Sequence, residues 1–185
     1  YNRIQGIIKL SMDDIKNIIE RAKKGDTEAF SHLYQSYYNP VYRYFRIRMS
    51  RREDAEDLTQ EVFAKAYKAM PGFTLRGSTA LPFFYTIAKN TLIDFRKKKR
   101  PIEVSNEKID IAGDETPQTH ATTNEDKDMV YKMLDKLTDF ERDAIVMKFI
   151  DDLSNKEIAR LIGRTEETVR QLQSRGLRKL KALFD

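Results

Sequence analysis

Residues 153–180 read LSNKEIARLIGRTEETVRQLQSRGLRKL, which is the pattern of two helices joined by a short glycine turn. Ser154 is placed to cap the first helix, and Glu157 follows three residues later as in a capping box. Gly163 supplies the backbone freedom that a short turn needs, and Thr165 is placed to cap a second helix directly after it. The stretch therefore predicts a helix-turn-helix.

The second helix of this pair has an apolar side and a polar side. Residues at spacings of three or four predict its buried stripe, which comprises Val169, Leu172, Gly176 and Leu180. The outward positions carry side chains of the kinds that reach DNA bases and phosphates, namely Arg170, Gln171, Ser174, Arg175 and Arg178. Binding to duplex DNA is one interpretation, and a helix pair that only packs, with solvated arginines, is the other.

Charge is unevenly spread along the 185 residues, although the formal net charge is only +5. Residues 1–100 hold 20 basic and 11 acidic side chains, residues 101–128 hold 2 and 8, and residues 129–185 hold 12 and 10. Two basic ends around an acidic middle fit a protein that meets nucleic acid at both ends, or one whose middle is a solvated linker. The lack of cysteine excludes disulfides and thiolate metal sites and suits a reducing cytoplasm.

Apolar residues recur at helical spacing over most of the chain, which predicts an all-α fold of two small helical domains. We expect helices at residues 13–24, 27–38, 41–49, 52–70, 82–98, 125–137 and 139–149, followed by the helix-turn-helix pair. Asn39-Pro40 is expected either to cap and start the helix 41–49 or to act as a kink before it. The first domain is expected at residues 12–100 and the second at residues 125–185.

Two segments lack the features of a packed domain. Residues 101–124 are acidic and Thr-rich with few large apolar residues, so they predict a flexible linker. Residues 1–11 are expected to be an N-terminal extension, disordered or derived from cloning. Their apolar run is too short for a signal peptide or a membrane span, so we expect a soluble, cytoplasmic protein with no membrane insertion.

The predicted helix 52–70 carries carboxylates opposite its apolar stripe. That stripe is expected to comprise Ala55, Leu58, Val62, Ala66 and Ala69. The opposite side carries Asp54, Asp57 and Glu61, with Gln60 nearby. Carboxylates at this spacing share a helix face, which could dock on a basic partner, bind a divalent metal or be hydrated. We expect no metal and no cofactor, because the Glu-x-x-His pairs of helical metal centres are absent from the sequence.

The predicted helix 82–98 combines aromatic rings with cations. Its core stripe is expected to comprise Phe84, Ile87, Ala88, Thr91, Leu92 and Phe95. Off that stripe lie Phe83, Tyr85, Lys89 and Asn90, and a basic run follows at Arg96, Lys97, Lys98, Lys99 and Arg100. Rings stack on bases while cations neutralise phosphates, so the segment predicts binding of an unpaired strand. The alternative is that Phe83 and Tyr85 pack against neighbouring helices and that the basic run is a solvated helix end.

Three blocks of the sequence together resemble the extracytoplasmic-function sigma factors, the smallest bacterial initiation factors of the sigma-70 type. The blocks are DAEDLTQEVF at residues 54–63, FYTIAKNTLID at residues 84–94 and LSNKEIARLIGRTEETVR at residues 153–170. They occur in the order and with the gap typical of that family. The resemblance implies an initiation factor that has no active site and binds the largest and second-largest subunits of core RNA polymerase.

The resemblance also implies a role for each block. The acidic helix would dock on the clamp helices of the polymerase through Asp54, Asp57, Gln60 and Glu61. The loop 72–81 and the helix after it would bind and melt the minus-ten promoter element through Arg76, Phe83, Tyr85, Lys89, Asn90, Arg96, Lys97, Lys98, Lys99 and Arg100. The C-terminal pair would bind the minus-thirty-five element as duplex DNA through Thr165, Arg170, Gln171, Ser174, Arg175 and Arg178.

Other parts of the chain depart from the family or leave alternatives open. Many relatives have Trp at the position of Phe83, and Arg-Leu at the positions of Leu172 and Gln173; we expect the second change to keep an apolar residue on the buried stripe. The linker would thread the polymerase channel or act as a passive tether. An anti-sigma factor or another regulatory protein is an expected partner.

Two other function classes compete with this interpretation. One is a helix-turn-helix regulator whose N-terminal half serves sensing or dimerisation. The other is a metal-dependent nucleic-acid enzyme using Asp54, Asp57 and Glu61, which the lack of a second carboxylate cluster and of suitable His and Cys residues disfavours.

Overall fold

The computed structural model describes residues 12–99 and 125–183, and within those ranges every regular element is a helix. The chain divides into two compact units, Tyr1–Glu103 and Val104–Asp185. The predicted all-α class is confirmed. The predictions for residues 1–11, for the linker 101–124 and for Arg100 concern positions outside the described residues.

Residues 12–99 of the N-terminal unit form four α-helices and one short 3₁₀ helix. In chain order these are α1 (Met12–Lys23), α2 (Thr27–Arg46), α3 (Arg52–Ala69), the 3₁₀ helix Met70–Gly72 and α4 (Leu81–Lys99). Helix α2 lies at the centre, because it contacts α1, α3 and α4, and α3 also packs along α4. The acidic helix and the aromatic-basic helix are therefore neighbours in one bundle.

The core of this unit is rich in large side chains with almost no solvent exposure. Leu33, Phe45, Val62, Phe84 and Tyr85 are each at most 2% exposed. Removing such side chains from water contributes roughly 1.5–3 kcal/mol apiece to folding before the entropy of ordering the chain is subtracted. The faces of α3 and α4 that remain exposed are thus held on a well-packed support.

Helix α2 runs unbroken through Pro40, so of the two alternatives for Asn39-Pro40 the start of a separate helix is wrong, and the proline lies inside one helix. A proline inside a helix lacks the N–H that would bond to the carbonyl four residues earlier, and this normally weakens the helix. Here Pro40 and Val41 are both buried, and their packing in the core compensates for the missing bond. Tertiary contacts override the local signal.

The start of α2 is fixed by Asp26. Its carboxylate accepts hydrogen bonds from the backbone N–H groups of Glu28 and Ala29 at 3.0 and 3.1 Å. The bond from Ala29 and the guanidinium of Arg21, whose Nε lies 2.7 Å from Oδ2, lower the pKa of Asp26. The turn between α1 and α2 is therefore an N-cap reinforced by an ion pair.

In the C-terminal unit, residues 125–183 form four helices. These are α5 (Glu125–Leu134), α6 (Asp139–Phe149), α7 (Asn155–Ile162) and α8 (Glu166–Lys181). The predicted bounds of α6 are confirmed, whereas α5 ends three residues earlier than expected. The buried guanidinium of Arg142 explains that end, because its Nε and Nη2 donate to the carbonyls of Leu134 and Leu137 at 2.9 and 3.2 Å.

No helix in the described part of the chain is long and apolar enough to cross a membrane.

Candidate functional site

The helix-turn-helix has the caps that the sequence predicts. Ser154 and Glu157 form a reciprocal capping box at the start of α7, in which Ser154 N donates to Glu157 Oε2 at 2.9 Å. Gly163 ends α7 in the left-handed region, with φ of 69°. Thr165 caps α8, because its Oγ1 accepts a hydrogen bond from Thr168 N at 3.1 Å. The turn between α7 and α8 is thus fixed at both ends.

The buried side of α8 differs from the predicted stripe at Leu172, Gln173 and Leu180. Val169 and Gly176 are buried as expected, but the third buried side chain is Gln173, which is 8% exposed, whereas Leu172 and Leu180 are only half-buried. The expectation that an apolar residue takes the buried place of the Leu172-Gln173 pair is therefore wrong. Both positions fit helical spacing from Val169, and contacts with α7 decide between them.

The opposite face of α8 presents the predicted polar side chains to solvent. All five are exposed: Arg170, Gln171, Ser174, Arg175 and Arg178. Arg170 also pairs with Glu167, with Nη2 2.9 Å from Oε2, so a DNA phosphate or base would have to compete with that carboxylate. The hydroxyl of Thr165 accepts from Thr168 N in the cap and also lies 2.9 Å from Thr168 Oγ1, which leaves it one hydrogen-bonding position for any other contact.

On α3, three of the four predicted docking residues are exposed. They are Asp57, Gln60 and Glu61, while Asp54 is half-buried. Glu61 Oε1 lies 2.7 Å from Lys65 Nζ, and Gln60 Nε2 donates to Tyr34 Oη at 3.2 Å. Glu61 and Gln60 therefore already hold contacts within the unit, whereas Asp57 on the same face has no ion pair with a described residue.

The inner side of α3 is broader than the predicted stripe. Ala55, Leu58, Val62 and Ala66 are buried as expected, but Ala69 is exposed, and Thr59 and Phe63 are buried as well. The reason is that α3 lies against both α2 and α4, so two sectors of the helix are covered. The described residues contain no group of three or more His, Cys, Asp or Glu side chains arranged to hold a metal ion.

The ring of Phe83 lies at an open pocket in front of α4. Its centroid is 4.4 Å from that of Phe73, and the rings are tilted by 34°. The pocket has a volume of about 340 Å³ and is lined by Ala69, Gly72, Phe73, Thr74, Arg76 and Phe83. Apolar rings beside a guanidinium form a place where a flat aromatic group with polar edges can bind.

Tyr85 is not at this surface. It is 2% exposed, and its ring lies 5.5 Å from that of Tyr44 on α2. The expectation that Tyr85 lies off the core stripe and presents its ring to a base is therefore wrong for this structure. Helix α4 is covered by α2 as well as α3, so its buried sector is wider than one stripe.

The remaining predicted residues of the N-terminal unit follow the exposed side of α4. Asn90, Arg96, Lys97 and Lys98 are exposed, and Lys89 is half-buried and engaged in an interaction. Asn90 stands seven residues after Phe83, which is roughly 10 Å along a helix. Lys99 ends α4, and its side chain lies outside the described residues. A basic helix end thus follows the pocket.

The sequence does not reveal one contact that positions the pocket loop. Tyr37 Oη lies 3.1 Å from Thr79 Oγ1 and accepts a hydrogen bond from Ala80 N at 3.2 Å. These bonds tie the end of the loop to α2. Tyr37 reads as an ordinary core residue, and no sequence signal links it to a loop more than 40 positions away. Phe73 and Thr74, which line the pocket, were predicted only as members of the loop.

Comparison with known proteins gives two family matches and several relatives. The family described as Sigma-70 region 2 matches residues 33–102, and the family described as Sigma-70, region 4 matches residues 133–182. The ECF RNA polymerase sigma factor BldN of Streptomyces coelicolor is 30% identical over 90% of this chain and 64% of its own length. The ECF RNA polymerase sigma factor SigM of Bacillus subtilis is 29% identical over 83% of this chain and 93% of its own length.

Solved structures share the fold. CnrH, in complex with the cytosolic domain of CnrY, superimposes with a TM-score of 0.66 at 20% identity, covering 92% of this chain and 96% of the other. The sigma factor RpoE of Bartonella quintana, in complex with the anti-sigma factor NepR, gives 0.62 at 19% identity, covering 84% and 96%.

The chain belongs to the sigma-70 family and, within it, to the ECF RNA polymerase sigma factors. Its partners are accordingly core RNA polymerase and promoter DNA.

Proposed function

We propose that this sigma factor brings core RNA polymerase to promoters that it recognises with both units, and that it works in the cytoplasm without an active site of its own. The observation that carries the proposal is the helix-turn-helix, whose α8 is capped, supported by a buried side and exposed along a face of Arg, Gln and Ser side chains. Those are the side chains that form hydrogen bonds with base edges and phosphates in the major groove.

The minus-thirty-five element is the proposed target of that face. Gln171, Ser174 and Arg175 are assigned to base edges, with Arg170, Arg178 and the Thr165 end of the helix near phosphates. One good bidentate contact discriminates between bases by about 1–3 kcal/mol, so two or three suffice for a short element when a second domain binds as well.

The minus-ten element is the proposed target of the pocket in front of α4. Opening a duplex costs the stacking energy of the bases that leave it, and capture of an unstacked base in a pocket recovers part of that cost. Phe73 and Phe83 offer ring faces and Arg76 offers donors to such a base. Lys89, Asn90 and the basic run at residues 96–100 would follow the strand. Tyr85, which is buried against Tyr44, is given no contact with the strand.

Core polymerase is the proposed partner of the exposed face of α3. Asp57, Gln60 and Glu61 would contact it directly, with Asp54 at the margin. A face of carboxylates on a rigid helix suits a basic partner surface, since opposite charges speed association and fix the register of docking. In this arrangement the domain that binds polymerase and the minus-ten element spans residues 12–100, and the domain that binds the minus-thirty-five element spans residues 125–185. Residues 101–124 are the proposed linker through the polymerase.

An anti-sigma factor is the proposed regulator. The support is the Bartonella quintana structure, in which a sigma factor of the same fold is bound to the anti-sigma factor NepR. Size-exclusion chromatography of this chain with candidate regulators from its own organism would test the proposal.

Run-off transcription tests the whole proposal. Core polymerase and this chain, with no other sigma factor, should initiate from a cognate promoter found by sequencing transcript 5′ ends. Transcription that appears only when another sigma factor is added would instead identify a helix-turn-helix regulator. Strand cleavage dependent on a divalent ion would identify a nucleic-acid enzyme.

A further inference from the structure

One polar side chain lies inside the otherwise apolar contact between α7 and α8. Among the described residues, Gln173 is the only buried side chain of these two helices that can form a hydrogen bond. Its Nε2 donates to Oδ1 of Asn155 at 2.9 Å, across 18 residues of sequence. The bond joins the middle of the recognition helix to the first residue of the helix before it.

Asn155 is a firm anchor for this bond. It directly follows Ser154, whose backbone and hydroxyl both donate to Glu157 Oε2, at 2.9 and 2.6 Å. The capping box therefore fixes the first turn of α7, and the amide of Asn155 moves with it. A displacement of α8 relative to α7 has to stretch or break the bond.

An apolar contact alone would restrain α8 less. Contacts between aliphatic side chains have no direction, whereas a hydrogen bond weakens steeply once its angle departs from linearity. A rotation of α8 by about 10° would move side-chain ends by about 1 Å, because they lie roughly 5–6 Å from the helix axis. Gln173 adjoins Ser174 and lies two residues from Gln171 and Arg175, so such a rotation moves all three at once.

We propose that the bond between Gln173 and Asn155 sets the rotation of α8 in the major groove, which makes Gln173 a positioning residue for minus-thirty-five specificity. This inference rests on the proposed function, in which α8 reads that element. Gln173 touches no base; it determines where Gln171, Ser174 and Arg175 meet the base edges.

If Gln173 had a purely structural role, its replacement would change stability and not specificity. Removal of one partner of a hydrogen bond is costly when the other partner stays buried and unpaired, but Asn155 is only half-buried and its amide can bond to water once Gln173 is replaced. Gln173→Leu should therefore fold, and specificity and stability can be measured separately.

The experiment is selection from a promoter library with a randomised minus-thirty-five element, using the full chain with core polymerase and sequencing the transcribed templates. We expect Gln173→Leu to reduce the preference for the best element over single-base variants by about two- to tenfold, the range set by the net free energy of one hydrogen bond. Asn155→Ala should have the same effect, and the double variant should be no worse than either single one.

Ile145→Val is the matched control. Ile145 packs against Gly176 on the same buried side of α8, so the change loosens packing without touching the bond. It should lower the melting temperature and keep the wild-type preference. Gln173→Met provides a second apolar substitution in case the leucine variant folds poorly.

The outcomes separate the two proposals. The positioning role is overturned if polymerase carrying the Gln173→Leu or Gln173→Met variant is active and keeps the wild-type preference for the minus-thirty-five element. Additive effects of Gln173→Leu and Asn155→Ala overturn it as well. A loss of preference in Ile145→Val as large as in Gln173→Leu also overturns it, since general loosening would then be the cause. If the wild-type chain starts no transcription from any template, the proposed function fails, and the inference fails with it.

Discussion

Glu61 Oε1 and Lys65 Nζ lie 2.7 Å apart on the exposed side of α3, one helical turn from each other. Lys65 also donates from Nζ to Thr91 Oγ1 of α4 at 3.1 Å. The carboxylate of Glu61 is thus already partly neutralised within the unit. Asp57, one turn earlier, is exposed and has no ion pair with any described residue. On the proposed polymerase surface, the carboxylate of Asp57 is therefore free to form an ion pair with a partner, whereas that of Glu61 is already paired with Lys65.

We expect Asp57→Asn to weaken binding to core polymerase more than Glu61→Gln does. The loss for Asp57 should be roughly two- to fivefold, the size of an exposed ion pair, because Glu61 must first exchange Lys65 for a partner. Titration of labelled sigma factor with core enzyme measures it. Asp13→Asn on α1, whose side chain is 97% exposed, is the matched control. Equal losses for all three variants would mean that only net charge matters.

Phe83 and Tyr85 should respond differently to truncation. Tyr85→Ala removes a fully buried ring and should cost about 3–5 kcal/mol of unfolding free energy. Phe83→Ala should cost clearly less, because Phe83 is half-buried, but it should weaken binding of the melted minus-ten strand by about 1–3 kcal/mol, the range for one base stacked on a ring.

Urea unfolding and binding of a minus-ten oligonucleotide by holoenzyme measure the two effects of these truncations. Tyr85→Phe is the control, since it keeps the ring in the core. A Tyr85→Ala variant that unfolds like the wild type would contradict the assignment of Tyr85 to the core.

Gly163 and Gly72 form a matched pair of glycines. Neither has an atom within 4 Å of an added Cβ, but only Gly163 has a positive φ. Gly163→Ala should therefore destabilise the C-terminal unit by about 1–2 kcal/mol, the cost of a left-handed conformation. Gly72→Ala should be neutral or stabilise by up to ~1 kcal/mol, because alanine restricts the unfolded chain. Thermal unfolding of both variants separates the effect of the backbone angle φ from steric contact of the added Cβ. Equal changes in stability for the two variants would refute the explanation by φ.

Glu141 should make the stability of the C-terminal unit depend on acid pH. Burial raises its pKa, but hydrogen bonds from Lys179, 2.7 Å away, and from Thr138 outweigh that effect, so the pKa lies below the ordinary value. The folded state therefore favours the carboxylate. Its contribution is fully present above the pKa of an unfolded glutamate, about 4.3, and is lost as the pH falls through the lower folded value.

Urea unfolding from pH 7 to pH 3 measures this dependence. We expect stability to fall less steeply below about pH 4.5 in Glu141→Gln than in the wild type, since the variant has no proton to take up there. Identical slopes for wild type and Glu141→Gln would contradict the prediction.

Local signals of the sequence predict the helix-turn-helix well. Ser154, Gly163 and Thr165 act through bonds and backbone angles within a few residues, so their effect is independent of the rest of the fold. The capping box at Thr138 is equally local, and α6 has the bounds that helical spacing alone predicts. The exposed faces of α3 and α8 follow directly from helical spacing.

Positions that depend on a second neighbouring helix could not be predicted in the same way. A single apolar stripe describes a helix with one covered side, but α4 is covered on two, and this is why Tyr85 is buried. Leu172 and Gln173 both fit the spacing from Val169, and a hydrogen bond to Asn155 favours the polar one. Pro40 remains inside α2 because its neighbours are held by the core.

The two hydrogen bonds of Tyr37 have a consequence for protein engineering. They make the end of the pocket loop, at Thr79 and Ala80, depend on a phenol that stands 42 residues before Thr79 in the chain. A loop transplanted from another sigma factor will keep its own side chains, but the position of its end will be determined by α2 of the recipient protein. Grafts designed to change promoter choice should therefore transfer a matching residue at position 37 together with the loop, as a single exchangeable part.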